Sequence, residues 1–140
     1  MIDPYVKNKN LQNLVSRFDL VFEKNRFVAV FIWGTVEALR ENTRFEVPDH
    51  VGAYVGYRGR KKKGLFGEIH LIPDMIGVGY VAHEIGHFIY DWYLSDENYA
   101  DPDINEKMAW LTGEITSAFW TEYYKTVNYE IDGKGNKVRD

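Results

Sequence analysis

The sequence predicts an α+β domain. Two stretches carry apolar residues at helical spacing, and between the first half of the chain and these lies a pair of β-type runs. In residues 75–94, stepping roughly 100° per residue, Val78, Val81, Ala82, Ile85, Phe88, Ile89 and Trp92 fall in one stripe. In the last third, Met108, Leu111, Ile115 and Ala118 or Phe119 do the same. The runs from Val51 to Tyr57 and from Leu65 to Pro73 have strand composition and flank a glycine-containing loop, the pattern of a hairpin. At 140 residues, positions 1–140 form a single domain able to bury a modest core.

Taken in order, residues 9–23 place Leu11, Leu14, Val15, Phe18 and Val21 or Phe22 at helical spacing, and a first backing helix is expected there. After a break at Lys24-Asn25-Arg26, residues 27–41 read as a second helix. The opening of that stretch, Phe-Val-Ala-Val-Phe-Ile-Trp, also fits a buried strand, because a short apolar run carries no decisive period. Pro48-Asp49-His50 marks a turn. The two strands that follow should make a small antiparallel sheet around the basic segment from Arg58 to Gly64, whose charges a hairpin tip normally exposes to water. In Glu68–Ile72, alternation puts Ile69 and Leu71 on one face and Glu68, His70 and Ile72 on the other. Pro73 cannot donate a ladder hydrogen bond and suits the edge or end of a strand. Asp103 is placed to cap the last helix, with Glu106 at its third position as in a capping box. From Asn128 a small hairpin or a loose tail is expected.

Composition narrows the function. Ten Tyr, eight Phe and four Trp argue for a packed fold. A net charge of −4 gives no reason to expect nucleic-acid binding, and the longest apolar run, from Phe27 to Trp33, is far too short to span a membrane. There are no cysteines, hence no disulfide, no thiol nucleophile and no thiolate metal ligand. With no signal peptide at the N-terminus, a cytoplasmic protein is expected.

One stretch names a chemistry. His83-Glu84-Ile85-Gly86-His87 is His-Glu-x-x-His on a helix. Positions i and i+4 lie one above the other, so the two imidazoles can share one zinc ion while the intervening carboxylate reaches a water on it. His83 and His87 fall opposite the apolar stripe, with Glu84 beside them. A catalytic zinc takes three protein ligands and leaves a place for water. The extended pattern with a third histidine is absent, since Tyr90 stands where glycine is needed. A glutamate on the following helix is the remaining common solution. Glu106, with Ala109 and Gly113 on its face to allow close helix approach, is the first candidate and Glu114 the second. His70 could line the cleft or close the site as a fourth ligand, although an ordinary packing role is the commoner fate of a lone histidine.

The residues Ala82-His83-Glu84-Ile85-Gly86-His87 and Glu106-Lys107-Met108-Ala109, in this order of elements, resemble the zincin metallopeptidases. Within them the chain is similar to the minimal gluzincins, a group that includes the ImmA/IrrE-like peptidases of phages and mobile elements. The resemblance spans roughly residues 27–125 in architecture and those two motifs in residues. It implies the minimal zincin fold, with Zn²⁺ held by His83, His87 and Glu106, Glu84 as catalytic base, and Glu68–Ile72 as the substrate-binding edge. Thermolysin-like relatives carry an acid four residues after the glutamate ligand, where this chain has Trp110. Asp91, four residues after His87, is a candidate to orient an imidazole instead. Tyr90 and Tyr124 are the candidates for stabilising an oxyanion, against a plain packing role for each. The expected activity is zinc-dependent hydrolysis of a peptide or protein substrate. The competing expectation is a non-hydrolytic zinc-binding or protein-interaction module on the same scaffold.

Overall fold

The computed structural model describes residues 9–43, 52–57, 64–73 and 76–132. The chain is α+β: a four-stranded mixed sheet with helices on both faces. The strands are β1 (Leu14–Phe22), β2 (Arg26–Trp33), β3 (Gly52–Gly56) and β4 (Leu65–Leu71), in the order β1-β2-β4-β3. The helices are α1 (Val36–Thr43), α2 (Val78–Leu94) and α3 (Ile104–Asp132). No helix among the described residues is long and apolar enough to cross a membrane.

The first N-terminal helix expected from the sequence is not there, and of the second only the later part, Val36–Thr43, is helical, its opening taking the strand alternative. Residues 14–22 and 26–33 are antiparallel strands joined by a one-turn 3-10 helix, Glu23–Asn25. The helical reading of the first relied on Leu11, Leu14, Val15, Phe18 and Val21 or Phe22. The strand instead buries Leu20 and Phe22, with Phe18 packed beside them, and leaves Val15 and Val21 exposed, which is a period of two. In β2 the run Phe-Val-Ala-Val-Phe-Ile-Trp is covered on both faces, as a central strand demands, so no alternation was visible. Helix resumes only at Val36, and α1 holds the stretch from Glu37 to Glu41 that has helical propensity.

The sheet is mixed, not antiparallel throughout. Strand β3 pairs antiparallel with β4 as the hairpin pattern expects, but β4 pairs parallel with β2. The Glu68–Ile72 stretch is therefore not an edge: β4 lies inside the sheet, and β3 is the edge on that side, with β1 the edge on the other. The turn at Pro48–His50 and the basic residues 58–63 lie outside the described residues. Helix α3 runs on to Asp132, past the point where a hairpin or tail was expected, and the tail's remainder, 133–140, is also outside them.

Two apolar layers hold this together. On one face Leu20, Phe22, Val28, Val30, Ile32, Phe66, Ile69 and Leu71 meet α2 through Val81, Ile85, Phe88, Ile89 and Trp92, and α3 through Leu111, Ile115 and Phe119. On the other, Ala29, Phe31, Trp33, Leu65 and Ile72 meet Ala38 and Leu39 of α1. Each fully buried large side chain contributes roughly 1.5–3 kcal/mol. The stripe read for α2 is correct at its centre, while Val78 and Ala82 at its margin are exposed.

Candidate metal centre

Burying the apolar stripe of α2 against the sheet forces the opposite side of the helix outward. His83 and His87 lie there, both exposed. Their Nε2 atoms stand 3.2 Å apart, with ring planes at 86° and centroids 4.7 Å apart. Two nitrogens each about 2.0–2.1 Å from one tetrahedral zinc ion stand about 3.3–3.4 Å apart. The pair thus has nearly the spacing of two corners of a zinc tetrahedron. The same distance also suits one N–H donating to the other ring's bare nitrogen.

Glu84 points from the flank of α2 toward β3 and is buried. A Cβ built at Gly52 would stand 3.2 Å from Glu84 Oε2, so the carboxylate lies against the backbone of the edge strand. Burial pushes its pKa up to about 6, against an opposing pull from His83. A carboxyl tuned this way accepts a proton more readily near neutrality than a solvated one.

Neither Glu106 nor Glu114, the expected third ligands, is gathered with the pair among the described residues. Among the described residues no three His, Asp or Glu side chains come together as a metal-binding group. Glu106 is exposed in the first turn of α3. With Ala109, Trp110, Gly113, Glu114 and Ser117 it lines an open groove of about 640 Å³ on the face of α3 turned away from the core. Glu106 and Glu114 therefore share one surface, two turns apart. The residues present fit zinc in their chemistry, two imidazoles with a carboxylate at hand, and in the spacing of the first two donors.

The other candidates separate cleanly. Tyr90 and Tyr124 are exposed; Tyr90 stacks on Tyr93 at 6.3 Å, and Tyr124 lies beside Trp120. Asp91 Oδ2 accepts a hydrogen bond from the Tyr54 hydroxyl at 2.8 Å. His70 cannot reach the pair, because it points to the opposite face of the sheet, fully buried. Its Nδ1 accepts from Trp33 Nε1 at 2.9 Å. Indole nitrogen only donates, so His70 is the neutral tautomer with its proton on Nε2, and that proton goes to Glu68 Oε1 at 2.7 Å. Burial pushes the His70 pKa down, in keeping with that neutral form. Glu68 also takes Lys9 Nζ at 2.8 Å and the Tyr57 hydroxyl at 2.8 Å. Burial alone would raise its pKa; the hydrogen bond and charge of a protonated His70, then the hydrogen bond and charge of Lys9, outweigh that and hold it down to about 2, and with His70 neutral its hydrogen bond and Lys9 keep the direction downward.

What sequence reasoning missed is the contact between β3 and α2. The signal was present as glycines at both ends of Gly52-Ala53-Tyr54-Val55-Gly56, where a strand gains nothing from glycine unless another group comes close. Comparison of the chain with protein-family models, with curated proteins and with solved structures finds no match in any of the three.

Proposed function

We propose that this protein is a zinc-dependent peptidase. The observation that carries the reading is the 3.2 Å spacing of the His83 and His87 Nε2 atoms on the outward face of α2, with buried Glu84 between them in sequence. His83 and His87 would hold the ion, with Glu106 as the third ligand and Glu114 in reserve. Bound zinc would supply a Lewis acid that polarises the scissile carbonyl and lowers the pKa of a water toward about 7. Glu84 would take the proton of the attacking water and return it to the leaving amine. An extended peptide would add along the outer side of β3, the edge strand against which Glu84 lies, in place of the interior strand β4.

A second reading has its own support. Only two donors converge among the described residues, which favours a metal-binding or protein-interaction module without turnover. Elemental analysis separates the two. The peptidase reading expects about one zinc per chain, lost in His83→Ala and in Glu106→Ala, and kept in Glu84→Gln while cleavage of a peptide library disappears. Glu84→Gln cleaving as fast as wild type sinks the mechanism. Zinc lost in His83→Ala but kept in Glu106→Ala moves the third ligand to Glu114 or elsewhere. No zinc in wild type, even after zinc is added, leaves the interaction module in front.

A further inference from the structure

We propose that Tyr54 and Asp91 form a latch that holds the edge strand β3 in register on the histidine helix α2. Its use in catalysis rests on the peptidase reading; the latch itself does not. Strand β3 has a neighbour on one side only, β4, among the described residues. A five-residue edge strand is weakly specified by its ladder alone. It meets α2 at two carboxylates on one flank of the helix. Glu84 and Asp91 are seven residues apart, about 10 Å along the axis and roughly 20° short of two full turns. Gly52 and Gly56 are four residues apart, about 13 Å along a strand. Glu84 lies against Gly52, and a Cβ at Gly56 would collide with Asp91 Oδ2.

Tyr54, between the two glycines and facing the same side, closes the gap with its hydroxyl on Asp91 Oδ2 at 2.8 Å. Its ring runs diagonally across β4, where a Cβ at Gly67 would stand 2.5 Å from the hydroxyl oxygen and 2.7 Å from two ring carbons. Two glycines, Gly56 and Gly67, thus make room for one tyrosine–carboxylate pair, and the third, Gly52, makes room for Glu84. A slip of β3 by one residue would turn Tyr54 to the other face of the sheet, where Asp91 is out of reach. The latch is a positioning device: it sets the height of the substrate edge relative to Glu84 and the histidine pair. Asp91 sits one turn after His87, so the competing role is orientation of that imidazole.

Hydrogen exchange and zinc competition on the full chain distinguish these roles. Tyr54→Phe removes only the hydroxyl, and Asp91→Asn keeps the shape. Tyr54→Phe should speed exchange of the β3 amides at least about tenfold, as loss of a hydrogen bond to a charged group implies; Asp91→Asn, whose amide oxygen still accepts from the hydroxyl, should speed it less, and both should leave zinc affinity within about threefold. Unchanged β3 exchange in Tyr54→Phe overturns the latch. So does a 10–100-fold loss of zinc affinity in Asp91→Asn without faster β3 exchange, the range for removing the partner of a metal-bound histidine. On a peptide that wild type cuts from a random decapeptide library, Tyr54→Phe should raise KM about fivefold or more with kcat within about twofold. A fall in kcat at unchanged KM overturns the substrate-edge role. A wild type that binds no zinc and cuts no peptide refutes the peptidase reading, and the exchange measurement still decides the latch.

Discussion

Replacing Glu68 by glutamine should cost the fold about 3 kcal/mol at neutral pH. The figure comes from two independent routes. The carboxyl's pKa is held down to about 2 from an ordinary 4.5. A shift of that size is worth about 3 kcal/mol of preferential stabilisation of the charged form at neutral pH. Separately, removing one member of a buried ion pair costs about 3–5 kcal/mol, because the partner's charge stays behind. Here Lys9 would remain, its side chain only 12% exposed, facing an amide. The amide also puts an NH₂ group in place of one oxygen, facing either the Tyr57 hydroxyl or the Lys9 and His70 donors. The pH dependence has a definite sign. Glu68 is a group with a depressed folded-state pKa, so its stabilisation is complete above 4.5 and is lost as pH falls toward 2. Urea denaturation followed by tryptophan fluorescence, on wild type and Glu68→Gln across that window, reads the difference directly. It should be about 3 kcal/mol at pH 7 and shrink to about 1 kcal/mol or less near pH 2. A difference below about 1 kcal/mol at pH 7, or one that does not change with pH, would refute the view that this carboxylate is a charged anchor of the sheet's inner face.

Two further outcomes follow from geometry alone. Gly67→Ala drives a methyl group into the Tyr54 ring and should destabilise by about 1–3 kcal/mol in the same denaturation assay, whereas the same change made on a Tyr54→Ala background should cost little. Trp33→Phe removes the donor that keeps His70 Nδ1 unprotonated, so the imidazole's pKa should rise, read by NMR titration of the ring; an unchanged titration would contradict the tautomer assigned from the indole bond.

The parts of the fold legible in the sequence were those with a long, unbroken period. Helix α2 and the body of α3 show theirs over three or more turns, so each buried face stood out before any packing was known. The β3–β4 pair was legible from its glycine-flanked apolar runs. The N-terminal half was not, for two different reasons. In β1, Leu14, Val15 and Phe18 match a helical stripe by accident, and Leu20, whose full burial decides the period, falls on the opposite side of that stripe. In β2 burial on both sides erases the period altogether. The parallel pairing of β2 with β4 depends on where the chain crosses the sheet, which local pattern does not encode. At the candidate site, the helix period was enough to set His83 and His87 on the outward face. The position of Glu106 relative to them depends on how α3 lies against α2, and spacing along the chain carries no such information.

Three histidines show how little a residue's identity says until its surroundings are known. His70 lies on β4, one ring among Phe31 and Trp33, with stacked centroids at 4.9 and 6.1 Å and both nitrogens committed, one accepting and one donating. A metal ion there would need a lone pair that the indole already holds, and would face Lys9 across Glu68. His83 and His87 lie on the far side of the same sheet, on a helix whose apolar face is spent on the core. Their Nε2 atoms point at each other and at solvent, within reach of an arriving cation. The sheet between them keeps the two chemistries apart. One face is a closed hydrogen-bonded cluster that fixes structure, and its protonation states are set by burial and fixed partners. The other offers donors at a spacing suited to an ion, beside a carboxyl whose pKa burial pushes up to about 6 and an edge strand open on its outer side among the described residues. On one face the polar groups are satisfied by one another, whereas on the other a zinc peptidase centre would need an open position for water.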